Sequence, residues 1–379
     1  MDSFIPYGRQ CIDDDDIQSV VDVLKSDFIT TGPMIDKFEE AVAEFSNTDF
    51  GVAVSNGTAA LHAMMAAAGI SKGDEVIATP MTFAATSNAV IYQGGTPVFA
   101  DVKADSLLID PDEVIKKITS RTKAVIAVDY AGQPCDYDAL REITNKHGLL
   151  LLSDACHSIG SEYKKRKTGS IADMTAFSFH PVKHITTGEG GMLLTNNPEF
   201  ARKAKAFRGH GITTDYRQRE KMGNWHYDMV SLGYNYRITD FQCALGISQL
   251  KKLSGWIKRR QEIAGLYAKA FKNCASVNPL SNSPDVSNAY HLYVIKLSEN
   301  LDRGEVFSKL RESKIGVNVH YIPVHLHPYY RENLGTTEGM CPIAEAAYEK
   351  IISIPMFPTM SNADVDRVVS TLLKITGES

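Results

Sequence analysis

At 379 residues, 44% of them hydrophobic, the chain is long enough to build two cores. Its 45 acidic and 40 basic residues leave a net charge of −5 with no basic stripe, which excludes a reader of the nucleic-acid backbone. The opening MDSFIPYGRQ lacks a charged-then-apolar leader pattern, and the apolar run 59–70 contains His62 and is too short to cross a bilayer; a cytoplasmic protein with no membrane partner is expected.

In chain order, the acid run 13–16 opens a helix-like segment through Lys25, with carboxylates at the positive end of the helix dipole. As a calcium loop it lacks alternating ligands and a glycine. From Gly51 short β-like runs alternate with helix-like runs: GVAVS then 58–68, EVIATP then 82–92, PVFADV then 111–118, KAVIAVD then 136–147, and LLLLSD. This alternation predicts parallel strands joined by crossover helices. A helix over 198–207 leads to an irregular polar stretch, 211–237, and a long helix over 239–271. The remainder reads as a smaller α+β unit, so we expect a large domain over 1–253 with an amino-terminal arm and a small one over 254–379. Six cysteines (11, 135, 156, 243, 274, 341) form no CxxC pair, as suits free thiols in a reducing compartment.

Open α/β sheets bind ligands beyond the carboxyl ends of their strands. After GVAVS, Asn56-Gly57-Thr58 opens a helix and suits either a phosphate or a plain N-cap. After LLLLS, Asp154 is placed to hold a protonated ring nitrogen, a metal or a turn, with His157 three residues on. In FSFHPVKHITTGEGG, Ser178 ends a strand-like alternation and Lys183 follows in a loop, where it is either a solvated charge or, if desolvated, a Schiff-base nucleophile. Taken together, Lys183, Asp154, the Gly57-Thr58 turn, Ser178 and Phe83 supply the nucleophile, ring-nitrogen partner, phosphate donors and aromatic cover that pyridoxal phosphate needs. There is no GxGxxG after the first strand, no Walker lysine and no GxSxG elbow. His180 and His184 have zinc-like spacing, but Pro181 intervenes and no HExxH glutamate is present. His320, His325 and His327 form a denser cluster whose interleaved tyrosines suit a sugar or nucleotide better than a metal; no metal site is expected.

These residues resemble the DegT/StrS sugar-nucleotide aminotransferases. The resemblance runs through TTGPMIDKFEEAVAEF, SNGTAALHAMMAAAGISKGDEVIATPMTFAAT, SDACHSIGSEYKKRKTGS, FSFHPVKHITTGEGG, LGYNYRITDFQCALGISQL and VHYIPVHLHPYY. It implies a type I, aspartate-aminotransferase-like fold: a large domain with a mostly parallel sheet plus a smaller α+β carboxyl-terminal domain. It implies pyridoxal 5′-phosphate as a covalent aldimine on Lys183, with pyridoxamine phosphate as intermediate, and Asp154 on the ring nitrogen. His157 would lie by the ring or its phenolic oxygen, where many relatives carry glutamine. Phe83 would cover the ring, and Gly57, Thr58, Ala59 and Ser178 would hold the phosphate, joined by Asn235 from the neighbouring subunit of a homodimer. Tyr7, Thr30, Arg237, His320 and Tyr321 would contact the sugar nucleotide.

Within the family, SFHPVKHITTGEGG with VDYAGQPCDYDAL resembles members that aminate C4 of UDP-2-acetamido-2,6-dideoxy-β-L-arabino-hexos-4-ulose, with L-glutamate as donor, on the way to pseudaminic acid. Other UDP- or dTDP-4-keto sugars, and a noncatalytic sugar-nucleotide sensor, are the alternative expectations. Dehydratase relatives carry histidine where this chain has Lys183. The roles of His180 and His184 are left open.

Overall fold

The computed structural model describes residues 3–378. Seven strands form the central sheet: β1 Phe50–Val54, β2 Glu75–Ala78, β3 Thr96–Phe99, β4 Thr122–Val128, β5 Leu150–Asp154, β6 Met174–Ser178 and β7 Gly191–Thr195. Their order is β1-β7-β6-β5-β4-β2-β3. From β6 to β3 every pairing is parallel, as the alternating pattern predicts. β7 is the exception and runs antiparallel to both β6 and β1. The segment 179–190 contains no crossover helix, so the chain folds back on itself there. β1 therefore points the same way as β6, and the carboxyl ends of β1, β2, β4, β5 and β6 share one edge with the start of β7.

Strands such as β4 (TKAVIAV) are buried nearly throughout, because helices cover both sheet faces. Helices Gly57–Ala67, Ala85–Tyr92 and Pro198–Arg208 pack on one face around Leu61, Met64, Val90 and Phe207. A second sheet, with antiparallel strands Val277–Pro279, Tyr293–Leu297 and Ile351–Ile354, carries helices Arg303–Glu312 and Asn362–Thr376. The stretch 315–321 lies against it through the Asn318–Ser353 bridge and through Ile315 and Val317 in its core, and the amino-terminal Ile5 bridges Ile315 and packs into the same core.

The long helix Asp240–Phe271 joins the two parts. Its Cys243, Leu253 and Ile257 pack with Phe38 and Phe179 in one core, whereas Ile263, Tyr267 and Phe271 pack in the core of the small sheet. Near the switch lies Arg260, fully buried and with no carboxylate partner among the described residues, whose guanidinium donates to the carbonyls of Tyr290 (3.1 Å), His291 (3.3 Å) and Met356 (3.0 Å). Burial pulls its pKa down to about 10. The run 13–16 does cap a helix, Asp14–Leu24, through an Asp13/Asp16 capping box. The stretch 211–237 is not wholly irregular: Asp215 caps a short helix, Tyr216–Lys221. None of the six cysteines is paired with another. Among the described residues, no helix is long and apolar enough to cross a membrane.

Where β7 starts, it presses on the turn after β1. A Cβ on Gly191 would lie 2.3 Å from the Asn56 carbonyl oxygen and 2.9 Å from Gly57 N, both backbone atoms that cannot yield alone. Gly191→Ala is expected to lower stability by about 1–3 kcal/mol, read as a shift in urea midpoint. Nearby, His62 is buried among Tyr92, Phe207, Tyr234 and Tyr236, and burial depresses its pKa to about 4. Below the ordinary value of 6.5 the unfolded chain takes up a proton that the folded chain refuses, so this contribution to stability is lost as pH falls from about 6.5 towards 4. In His62→Gln the slope of Tm against pH over that window should flatten.

Candidate active site

A cavity of about 540 Å³ opens at the shared strand edge. The main sheet contributes Asn56, Gly57, Thr58, Thr82, Phe83, Asp154, His157, Ser178 and Lys183, and the small-sheet side contributes His291, Asn318, His320 and Tyr321. Tyr7 enters from the amino-terminal segment, fixed by its carbonyl, which accepts from Met356 N at 3.0 Å.

At one end of the cavity lies the start of helix Gly57–Ala67. The Asn56 side chain caps it by accepting from Ala59 N at 2.8 Å. Both readings of this turn are thus realised in part: the cap occupies the Ala59 N–H, while the N–H groups of Gly57 and Thr58 have no intrahelical partner. The first turn carries no acidic residue. A Cβ on Gly57 would lie 2.8 Å from Ser178 Cβ and 3.1 Å from its Oγ, so the bare glycine lets the β6 hydroxyl approach the helix start.

At the other end Asp154 closes β5, nearly buried. Its Oδ2 accepts from Thr86 Oγ1 at 2.6 Å, and Thr86 in turn lies 2.8 Å from Thr82 Oγ1; its Oδ1 accepts from Cys156 N at 3.2 Å. Sequence reading missed Thr86, whose only signal is a hydroxyl one turn beyond Thr82 on the following helix. Behind Asp154, the wholly buried Asp129 accepts from Ser158 Oγ (2.6 Å), Cys135 N (3.0 Å) and Tyr137 Oη (2.9 Å). Desolvation nevertheless raises its pKa to about 7. Lys183 sits half-buried in the turn after β6, held by its N–H donating to the His180 carbonyl at 2.9 Å. Desolvation lowers its pKa, against the opposing pull of Cys156 and Asp154. A lysine so placed holds its proton weakly and is the more nucleophilic for it.

The histidines divide by environment. His157 Nε2 lies 3.1 Å from Tyr321 Oη, and its ring is 4.4 Å from that of His291. Burial, then the charge of Lys183, keeps both well below the ordinary imidazole range. His291 was not singled out by its sequence context, since YHLYVIKL reads simply as a strand. His320 is fixed by Ser353 Oγ at 2.8 Å from Nδ1, with its pKa pushed down to about 4 by burial. Of the flanking pair, His180 is exposed at the cavity rim, whereas His184 points away and bonds the Ala289 carbonyl at 3.0 Å. His325 bonds Glu345 at 2.7 Å and does not line the cavity, nor does His327. Among the described residues no group of three His, Cys, Asp or Glu side chains is disposed to hold a metal ion.

Four expected contacts lie outside the single-chain cavity: Ala59, whose N–H is taken by the Asn56 cap, and Thr30, Asn235 and Arg237. Thr30 is exposed and bridges Thr239; Asn235 bridges Gly209; and Asn235 and Arg237 are both exposed. Phe83 does reach the cavity, but with 62% of its surface exposed, and its ring is 6.1 Å from that of Tyr321.

Removing the Thr86 hydroxyl leaves a nearly buried carboxylate short of a donor. Thr86→Val is expected to cost about 1–3 kcal/mol in urea unfolding, with Thr86→Ser close to wild type.

Residues 10–373 match the model of the DegT/DnrJ/EryC1/StrS aminotransferase family. The chain is 41% identical to the spore coat polysaccharide biosynthesis protein SpsC of Bacillus subtilis, over 98% of this chain and 97% of that protein. Its fold superimposes on Helicobacter pylori PseC, an aminotransferase involved in the biosynthesis of pseudoaminic acid, with a TM-score of 0.93 at 33% identity and full coverage of both chains. Streptococcus pneumoniae Spr1654, solved in PMP and PLP forms, matches at 32% identity with TM-scores of 0.93 and 0.92, over 99% of each chain. With a family match over nearly its whole length and the type I fold of these neighbours, the chain belongs to the DegT/DnrJ/EryC1/StrS family of pyridoxal phosphate-dependent sugar aminotransferases.

Proposed function

We propose that this chain moves an amino group from L-glutamate to C4 of UDP-2-acetamido-2,6-dideoxy-β-L-arabino-hexos-4-ulose, giving UDP-4-amino-4,6-dideoxy-N-acetyl-β-L-altrosamine for pseudaminic acid biosynthesis. The observation that carries the chemistry is the meeting, in one cavity, of Lys183, Asp154 and the start of helix Gly57–Ala67 beside Ser178. Similarity to PseC supports the choice of sugar.

The residues fit pyridoxal 5′-phosphate. Gly57 leaves a space at the helix start that a side chain would fill, with two N–H groups that have no intrahelical partner and the Thr58 and Ser178 hydroxyls around it, and no acid in the first helical turn opposes a phosphate. Asp154, steadied by Thr86 and Cys156, would hold the proton of the ring nitrogen, and His157 with Tyr321 would face the ring's polar edge. When bound, the group supplies an electron sink for breaking and making the bonds at the amine-bearing carbon. Lys183 Nζ, with its lowered proton affinity, takes the proton from the glutamate α-carbon and later delivers one to sugar C4 from a single face, fixing the stereocentre. Tyr7, His320 and Tyr321 wall the side from which the sugar would enter, and Phe83 lies at the mouth.

The site also argues for a homodimer. Glutamate and a nucleoside diphosphate are both anionic, yet among the described residues lining the cavity the one lysine or arginine is Lys183. Asn235 and Arg237 are exposed on a stretch whose Trp225 (83%) and Leu232 (78%) are bare to solvent, and Thr30 is exposed where Phe28 and Ile29 are too. A second copy placed on these surfaces would cover the apolar side chains and bring Asn235 to the phosphate and Arg237 to the nucleotide. A second reading is another UDP- or dTDP-4-keto-6-deoxy sugar, since the chain is 41% identical to SpsC, a spore coat polysaccharide biosynthesis protein, against 33% to PseC.

Lys183→Ala should lose the visible absorption of the lysine-linked cofactor and fall at least ~10³-fold in turnover while its circular dichroism stays native. Full activity in that variant would overturn the mechanism. Incubation with glutamate and a panel of UDP- and dTDP-4-keto sugars should give one dominant aminated product; a dTDP-sugar product would select the second reading.

A further inference from the structure

The helix Gly57–Ala67 has a polar group that the chemistry above does not use. His62 is buried, and both its ring nitrogens are engaged: Nε2 lies 2.8 Å from Gln93 Nε2 and Nδ1 lies 3.0 Å from Tyr236 Oη. With Gln93 donating to Nε2, the neutral ring keeps its proton on Nδ1 and donates to the tyrosine. The ring centroids of Tyr92, Phe207, Tyr234 and Tyr236 lie 4.9–5.8 Å from that of His62. Tyr234 and Tyr236 stack on each other at 5.1 Å with planes 13° apart. The same segment is tied by its backbone: Ser55 N donates to the Tyr236 carbonyl at 2.8 Å, and Tyr236 N donates to the Arg208 carbonyl at 3.0 Å.

This box fixes an extended stretch in which successive side chains point to opposite sides. With Tyr236 turned inward onto His62, Asn235 and Arg237 face outward, and both are exposed. We propose that His62 is a positioning residue for the neighbouring subunit's active site: through Tyr236 it presents Asn235 and Arg237 of its own chain to the phosphate and nucleotide of the partner's cavity. The inference rests on the homodimer proposed above. One helix then serves two sites, its amino end holding the phosphate of its own cavity and its middle aiming the loop that completes the other.

The test is a subunit cross. His62→Ala and Lys183→Ala chains carrying different tags are co-expressed, and the mixed dimer is isolated. The cofactor can link only to the Lys183 of the His62→Ala chain, whose site receives its loop from the chain with an intact His62. The pyridoxal phosphate concentration giving half-maximal visible absorption should rise about tenfold or more in the His62→Ala homodimer and return to the wild-type value in the mixed dimer. Weak binding in the mixed dimer would mean that His62 acts on its own helix, and wild-type binding in the His62→Ala homodimer would mean that it positions nothing; either overturns the inference. If His62→Ala does not fold, Tyr236→Phe, which deletes only the hydroxyl, takes its place in the same cross with the same outcomes. A cofactor-binding wild type whose cross fails sinks this inference alone, whereas a wild type without the absorption band overturns the aminotransferase reading and this inference with it.

Discussion

The site depends on how closely three strand ends approach at one edge of the sheet. β7 returns antiparallel between β1 and β6, so its first residue must pass the turn after β1, and the end of β6 must pass the start of the helix that follows. These approaches are tighter than a Cβ allows, at Gly191 against the Asn56 carbonyl and at Gly57 against Ser178. With both positions bare, the helix start and a strand-end hydroxyl face one small volume. Asp154 reaches the same cavity from the next strand, and Lys183 from the turn that reverses the chain. The single antiparallel strand in a parallel run thus lets residues from β1, β5 and β6 converge.

Much of this was legible in the sequence, because the signals were local. Alternating β-like and helix-like runs specify parallel strands, and polar residues after such strands fall at the binding edge, as Asn56, Asp154 and Ser178 do. What was not legible depends on partners distant in the chain. Thr86 matters through a bond to Asp154, 68 residues away, and His291 through a ring neighbour at His157. Neither pairing leaves a mark in its own sequence neighbourhood. His180 and His184 flank one turn and share a spacing, yet one lies at the cavity rim and the other bonds Ala289, 105 residues on. The cluster around His320 divides likewise, with His325 committed to Glu345. Thr30, Asn235 and Arg237 stand outside the cavity of their own chain, where no argument from one chain's periodicity would place them.

The cavity walls keep their imidazoles neutral. His157, His291 and His320 are all depressed by burial and by the nearby Lys183, so they offer one donor and one acceptor each instead of a second positive charge. Neutral imidazoles add no positive charge beside Lys183, so the lowered proton affinity of that amine comes from its desolvation, against the opposing pull of Cys156 and Asp154. Behind that carboxylate Asp129, raised to about 7 chiefly by burial and further by Asp154, carries less negative charge near neutral pH than an exposed carboxylate does.

Arg260 bears on how the walls move. Its acceptors are the carbonyls just before strand Tyr293–Leu297 and just after strand Ile351–Ile354, while its own backbone belongs to the long helix shared by both cores. Prising the small sheet off that helix would strand a buried cation with no carboxylate to replace those oxygens, a penalty of several kcal/mol. Helix and small sheet therefore travel as one rigid body, carrying His291 and, through Ser353, His320 with them. Phe83, His180 and Glu189 at the mouth are exposed and lie outside that anchor, so they are the cavity side chains most at liberty to change rotamer.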